Sequence, residues 1–225
     1  MGTAAAVTVG GQWCREEPDS MRIGIYGGSF DPVHIGHLIL AESARDQAGL
    51  DRVVFMPAAA PPHKPDRILA AGSHRLEMLR LATGGHDAFA VSSLELDRGG
   101  TSYTVDTLAA LAADYPEDSL ALLLGPDAVA GFATWREPAA IAAMAELIAV
   151  ERESLDDLPA AVRSGGLEAV LGDAAVAGLL GRRVRMPAIG IRATDLRAAI
   201  AAGTSIRYQT PRAVERYIAS HGLYR

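Results

Sequence analysis

Cysteine is almost missing from this sequence: Cys14 stands alone among 225 residues. No internal disulfide and no multi-cysteine metal site can form, and a reducing, cytoplasmic setting is the expectation. An excess of basic charge is missing too. With 21 Lys and Arg against 27 Asp and Glu, the formal net charge of −6 excludes a nucleic-acid protein that works through a broad basic face. A local basic pocket stays open. No apolar run approaches the ~18–20 residues needed to cross a bilayer, so no membrane partner is expected. Repeats and low-complexity tracts are absent, although alanine is abundant. What is present, 49% hydrophobic and 21% charged residues, fits one larger domain with ample material for a core.

Residues 1–20 stand apart: small and polar, with scattered Gly and Pro and no periodic apolar pattern. They lack the basic start and long apolar centre of a secretory leader. A disordered extension is expected here, with Cys14 incidental to it, and the domain is expected over residues 21–225.

From Met21 onward, short apolar runs alternate with longer amphipathic stretches. Residues 23–26, 53–56, 89–94, 120–124, 147–150 and 184–191 read as strands. Residues 35–48, 74–82, 105–113, 139–144, 155–162, 194–202 and 211–220 read as helices. This alternation implies an α/β fold, a doubly wound, mostly parallel sheet with helices on both faces. Such sheets bind ligands at the carboxyl ends of their strands, where strand order reverses. The glycine-rich stretch 164–181 has no regular reading.

The first strand-to-helix turn reads Gly27-Gly28-Ser29-Phe30-Asp31-Pro32-Val33-His34-Ile35-Gly36-His37. Two glycines directly after a strand let backbone approach a ligand closely and present amides at a helix N-terminus. Pro32 suits the start of the helix. His34 and His37 share one helix face, and Gly36 between them leaves room for something bulky against it. Amides, a positive helix end and two imidazoles together make a receptor for a polyphosphate. The same residues could also be a glycine-rich turn with two surface histidines. As metal ligands the pair would lack a third partner in the stretch.

The run GSFDPVHIGH resembles the (H/T)xGH signature of the nucleotidyltransferase superfamily, which joins a nucleotide to a phosphate-bearing substrate. Four further stretches are similar to bacterial nicotinate mononucleotide adenylyltransferases. They are Met56-Pro57-Ala58-Ala59-Ala60-Pro61-Pro62-His63-Lys64; the run from Glu95 to Leu108 containing Ser102-Tyr103-Thr104; Leu124-Gly125-Pro126-Asp127 followed by Trp135; and Ser205-Ile206-Arg207-Tyr208 leading to Gly222-Leu223-Tyr224. Phosphopantetheine adenylyltransferases share the first motif but are typically shorter and lack the Ser-Tyr-Thr and Trp elements. A non-catalytic nucleotide-binding module on the same fold is the alternative from another class.

The resemblance implies a Rossmann-like nucleotidyltransferase domain that transfers AMP from ATP to nicotinate mononucleotide. It implies a catalytic set of His34, His37, Lys64 and Arg197. ATP would be held by Gly27, Gly28, His34, His37, Gly125, Asp127, Thr194 and Arg197. Nicotinate mononucleotide would be held by Ser29, Phe30, Lys64, Tyr103, Thr104 and Trp135. Each has a plainer reading as well. Lys64 could be a solvated loop cation, Thr104 the N-cap of the next helix, Trp135 core, and Asp127 a helix N-cap. The partners expected are these two small molecules, with a homo-oligomer left open. Mg²⁺ is expected to arrive with ATP, through phosphates and waters, and no protein metal ligand is named.

The sequence departs from the family pattern at Ile191-Arg192-Ala193-Thr194-Asp195-Leu196-Arg197. Two serines that would greet ATP phosphates are replaced by Arg192 and Ala193. The expectation is an active enzyme whose ATP site is altered but intact, with Arg192 able to make charge-assisted bonds to phosphate; its bulk could equally intrude on the adenosine pocket, or its side chain point to solvent.

Overall fold

The computed structural model describes residues 20–61, 69–153 and 157–225. Its six strands are β1 (Arg22–Gly28), β2 (Arg52–Pro57), β3 (Phe89–Val91), β4 (Ser119–Leu124), β5 (Glu146–Arg152) and β6 (Val184–Met186). They lie in the order β3-β2-β1-β4-β5-β6, and every pairing is parallel. The chain therefore winds outward from β1 to β3, then returns to the other side of β1 to place β4. The reversal between β1 and β4 is where a doubly wound sheet opens its ligand crevice.

Side chains alternate across the sheet. Ile25, Val54, Met56, Leu122 and Leu124 enter one core, while Val53, Phe55, Ala121 and Leu123 enter the other. Burial on both faces explains why these strands read as continuous apolar runs. The faces are covered by α1 (Ile35–Ala48), α2 (Gly72–Thr83), α3 (Leu94–Arg98), α4 (Thr104–Asp114), α5 (Pro126–Gly131) and α6 (Pro138–Met144). A 3₁₀ turn, Phe132–Thr134, joins α5 to α6. Then come α7 (Leu158–Gly165), α8 (Leu167–Leu171), α9 (Asp173–Gly181), α10 (Ala193–Ala201) and α11 (Arg212–Ser220). Among the described residues no helix is long and apolar enough to cross a membrane.

The structure corrects several readings. The strand expected over 89–94 stops at Val91 because Ser92 Oγ accepts from the Leu94 amide at 3.2 Å and Ser93 Oγ donates to Asp97 at 2.6 Å, turning the chain into α3. The strand expected over 184–191 ends at Met186, since Pro187 cannot donate to a ladder. The stretch 164–181 is regular after all. Gly166 (φ 64°) and Gly172 (φ 79°) adopt the left-handed backbone that lets α7, α8 and α9 follow one another directly. Pro32 lies in the turn before α1 rather than in its first turn, and His34 is the N-cap. Thr104 is the first residue of α4 rather than its cap, and Asp127 sits in the first turn of α5 behind Gly125. The helix expected over 155–162 begins at Leu158, where Asp157 Oδ1 accepts from the Ala160 amide at 2.9 Å; its first residues, 155 and 156, lie outside the described residues. So do Cys14 and Lys64.

Candidate active site

The ends of β1 and β4 open onto a cavity of about 560 Å³, within the range of small-molecule sites. Its floor is the glycine-rich end of β1 with Gly125 at the end of β4, and its wall includes Tyr103, Thr104 and Trp135. A Cβ placed on Gly27 or on Gly125 would meet nothing within 4 Å, so both strand ends leave open space above the backbone. Gly28 is different. Its missing Cβ is filled by the Phe30 ring, 3.0 Å away, while Phe30 takes a left-handed backbone at φ 46° to reach that place. Phe30 is therefore core, 2% exposed and edge-on to Tyr26 and His37. Its ring packs against Gly28, and Phe30 is not among the residues that line the cavity.

The two histidines meet at the start of α1, their rings stacked with centroids 3.7 Å apart. The helical spacing brings them together, and the detail comes from the cap. His37 Nδ1 accepts from the His34 backbone N–H at 3.1 Å, which places the ring proton on Nε2 and leaves that N–H as the donor for a ligand. His34 is buried, and its Nδ1 has no hydrogen-bond partner. Gly36 makes room for the His34 ring itself, since a Cβ there would lie 3.1 Å from His34 Nδ1. Burial pulls the His34 pKa down to about 4, and burial plus the neighbouring His34 holds His37 well below the ordinary imidazole value. At neutral pH both are uncharged donors, so positive charge for a polyphosphate must come from elsewhere.

That neutrality carries a pH signature. An unfolded imidazole takes up its proton near pH 6.5, whereas folded His34 does so only near 4. Between those values the unfolded state binds more protons, so stability falls as pH drops through this window. His34→Asn keeps a good helix cap and cannot titrate. The variant is expected to lose part of the parent's fall in Tm between pH 7 and pH 5. An unchanged slope would show that His34 is not held neutral.

Arg197, on the first turns of α10, reaches the same turn. Its Nη1 donates to the Asp31 carbonyl at 2.6 Å and lies 3.7 Å from Asp31 Oδ2, while Nη2 donates to Thr194 Oγ1 at 3.3 Å. Arg197, bonded to Thr194, thus reaches Asp31, in the turn that joins Gly28 to the paired histidines. Tyr103, Thr104, Gly125 and Trp135 line the cavity with Gly27, Gly28 and Ser29, while His34, His37, Thr194 and Arg197 are not among its lining residues. Asp127 is exposed and does not line that cavity, and Arg192 is an exposed N-cap of α10.

Sequence reasoning missed several contributors. Ser102 Oγ accepts from the Ala59 amide at 2.9 Å, fastening the loop after β2 to the approach of α4. Buried Glu95 accepts from Thr107 Oγ1 at 2.7 Å and lines the cavity. Arg136 lies 5.0 Å from the centre of the Tyr103 ring, with Asp106 at 3.4 Å. Ser102 and Glu95 stand within a stretch that carried the family resemblance. Arg136 had no signal beyond its place after Trp135.

Comparison with known proteins agrees with this geometry. The cytidylyltransferase-like family pattern matches residues 25–199. A Salinibacter ruber protein named "Probable nicotinate-nucleotide adenylyltransferase" is 42% identical over 205 residues, spanning 91% of this chain and 98% of its own. A Thermus thermophilus protein of the same name is 42% identical over 207 residues, covering 91% of this chain and all of its own length (100%). The fold is shared with Plasmodium falciparum nicotinic acid mononucleotide adenylyltransferase complexed with NaAD, at TM-score 0.68 and 18% identity over 91% of this chain and 97% of that one. With its nucleotide-sized crevice at the strand reversal and its stacked histidines at the adjoining helix start, this chain belongs to the nicotinate-nucleotide adenylyltransferase family of nucleotidyltransferases.

Proposed function

We propose that the protein transfers the adenylyl group of MgATP to nicotinate mononucleotide, giving nicotinate adenine dinucleotide and pyrophosphate. The observation that carries the reading is the cavity at the β1/β4 reversal, walled by Tyr103 and Trp135, with the stacked histidines at the helix start that follows the Gly27–Gly28 turn. Tyr103 and Trp135 give flat surfaces for a pyridine ring, and Arg136 brings a cation to its carboxylate. The open backbone at Gly27 and Gly125 admits the phosphates at the strand ends.

The acceptor's phosphate oxygen attacks the α-phosphorus in line. The bond from that phosphorus to the β-bridging oxygen breaks, and pyrophosphate leaves with its electrons. The attacking oxygen is already anionic near neutral pH, so no general base is required. Catalysis then consists of positioning and stabilisation of developing charge. His37 Nε2–H supplies a preorganised donor, and Arg197 supplies charge from a guanidinium already anchored to the turn. Lys64 is assigned to the same phosphates on its motif alone. Mg²⁺ enters as part of the MgATP substrate, held by phosphate oxygens.

The test is pyrophosphate release from MgATP in the presence of nicotinate mononucleotide, nicotinamide mononucleotide or phosphopantetheine in turn. Release with the nicotinate substrate well above the other two is expected. Release with phosphopantetheine alone would move the protein to the other adenylyltransferase class, and no release with any acceptor would leave a nucleotide-binding module.

A further inference from the structure

Arg197 is held by more than its own helix. Asp31, 1% exposed, faces it and accepts a hydrogen bond from the Tyr224 hydroxyl at 2.7 Å and from the Ala70 amide at 3.2 Å. Arg75, 2% exposed, completes the cluster: Nε donates to the Ala70 carbonyl and Nη1 to the Ser29 carbonyl, both at 2.9 Å. Residues far apart in sequence thus converge on the turn between β1 and α1, Tyr224 coming from the last two residues of the chain. Tyr224 takes a left-handed backbone at φ 65°, which a non-glycine residue adopts only when its surroundings compel it. Its ring packs on the core under α1, and its hydroxyl is held protonated by burial and by the Asp31 carboxylate.

The electrostatics give this arrangement a purpose. One carboxylate faces two guanidiniums. Arg75 is sealed inside, while the Arg197 side chain keeps 22% exposure, so among the described residues it is Arg197 that presents the cluster's positive charge to solvent. The Tyr224 O–H bond fixes Asp31 Oδ1, and Oδ2 and the carbonyl of Asp31 are what orient Arg197. Loss of that hydroxyl would leave Oδ1 with the Ala70 amide alone and loosen the carboxylate, letting it turn onto Arg197 and draw its charge away from an incoming phosphate.

We infer that Tyr224 is a positioning residue for the ATP half-site: the C-terminus latches Asp31, and Asp31 aims the Arg197 guanidinium at the polyphosphate. The inference rests on the proposed adenylyl transfer for the identity of the anion, and Tyr224 itself touches no substrate.

The experiment is a double-mutant cycle of Tyr224→Phe and Arg197→Ala, read by calorimetric binding of Mg²⁺ with the α,β-methylene analogue of ATP and by steady-state kinetics. Tyr224→Phe is expected to weaken analogue binding and raise KM for MgATP about tenfold, the scale of one hydrogen bond to a charged group. KM for nicotinate mononucleotide should stay within about twofold, and in the Arg197→Ala background the Phe substitution should add almost nothing. A tenfold loss of equal size in both backgrounds would overturn the inference, as would analogue binding unchanged from the parent. General loosening of the C-terminus would weaken both backgrounds alike, so it counts against the inference. Analogue binding separates the two proposals. A parent that binds the analogue with the predicted coupling yet ignores nicotinate mononucleotide refutes the acceptor and leaves the latch standing.

Discussion

Replacing His37 with Ala is expected to lower kcat about 10²-fold, the cost of one preorganised donor to a developing phosphate charge. The neutral tautomer makes a sharper prediction than the loss alone. Nδ1 is occupied by the His34 amide, so the working atom is Nε2. His37→Asn places an amide near the Nδ1 position; it can satisfy the helix cap and yet has nothing at Nε2. His37→Gln reaches further and can place an N–H close to Nε2. Asn should therefore be as slow as Ala while Gln recovers part of kcat, with KM for nicotinate mononucleotide little changed in all three. Equal activity of Asn and Gln would assign the ring a capping role only.

The order of those effects could not have been predicted from the motif. The sequence placed both histidines on one helix face, which suffices to bring them together. The cap that sets the tautomer depends on His34 standing outside the helix, at φ −144°, a conformation no spacing rule reports. Neutrality comes first from three-dimensional burial, to which the Phe30 and Tyr26 rings against His37 contribute, with the neighbouring His34 adding to it for His37. Strands β1, β2 and β4 were legible because burial on both faces writes an unbroken apolar run into the chain. Strand β6 was over-extended because residues 187–191 remain apolar in composition while Pro187 ends the ladder. Helix α5 was given no range, although Asp127 was read as a possible helix N-cap; the helix starts one residue earlier than that, with Pro126 in its first turn.

The candidate site divides in the same way. Gly27, Ser29, Tyr103, Thr104, Gly125 and Trp135 sit close to strand ends and helix starts, so the order of motifs along an α/β chain was enough to bring them to one cavity. Asp31 and Tyr224 were read only as parts of motifs, and Arg75 only as one residue of the helix over 74–82. Their contacts reach across as many as 193 residues of sequence, and a buried arginine near the start of α2 looks on paper like any solvated helix residue. Periodicity locates faces of elements; it does not reveal which polar side chains pair across the core.

Arg75 is where the largest loss of stability is expected. Truncation to Ala would strip the buried carbonyls of Ser29 and Ala70 of their donor and remove a cation from beside a carboxylate that is 1% exposed. Leaving two buried carbonyls without their donor costs about 1–3 kcal/mol each, a large part of the ~5–15 kcal/mol available to a domain. Arg75→Lys keeps the charge, but a single ammonium cannot serve both carbonyls in the planar fork that Nε and Nη1 provide, so it should recover only part of the loss. Arg75→Met tests the cause. It fills most of the volume without a donor, so a loss nearly as large as that of Ala would show that the penalty is the two unsatisfied carbonyls rather than a cavity. Urea denaturation of the three variants reads all of this. A loss below about 1 kcal/mol for Arg75→Ala, ordinary for a surface site, would mean the guanidinium adds little to what packing already provides.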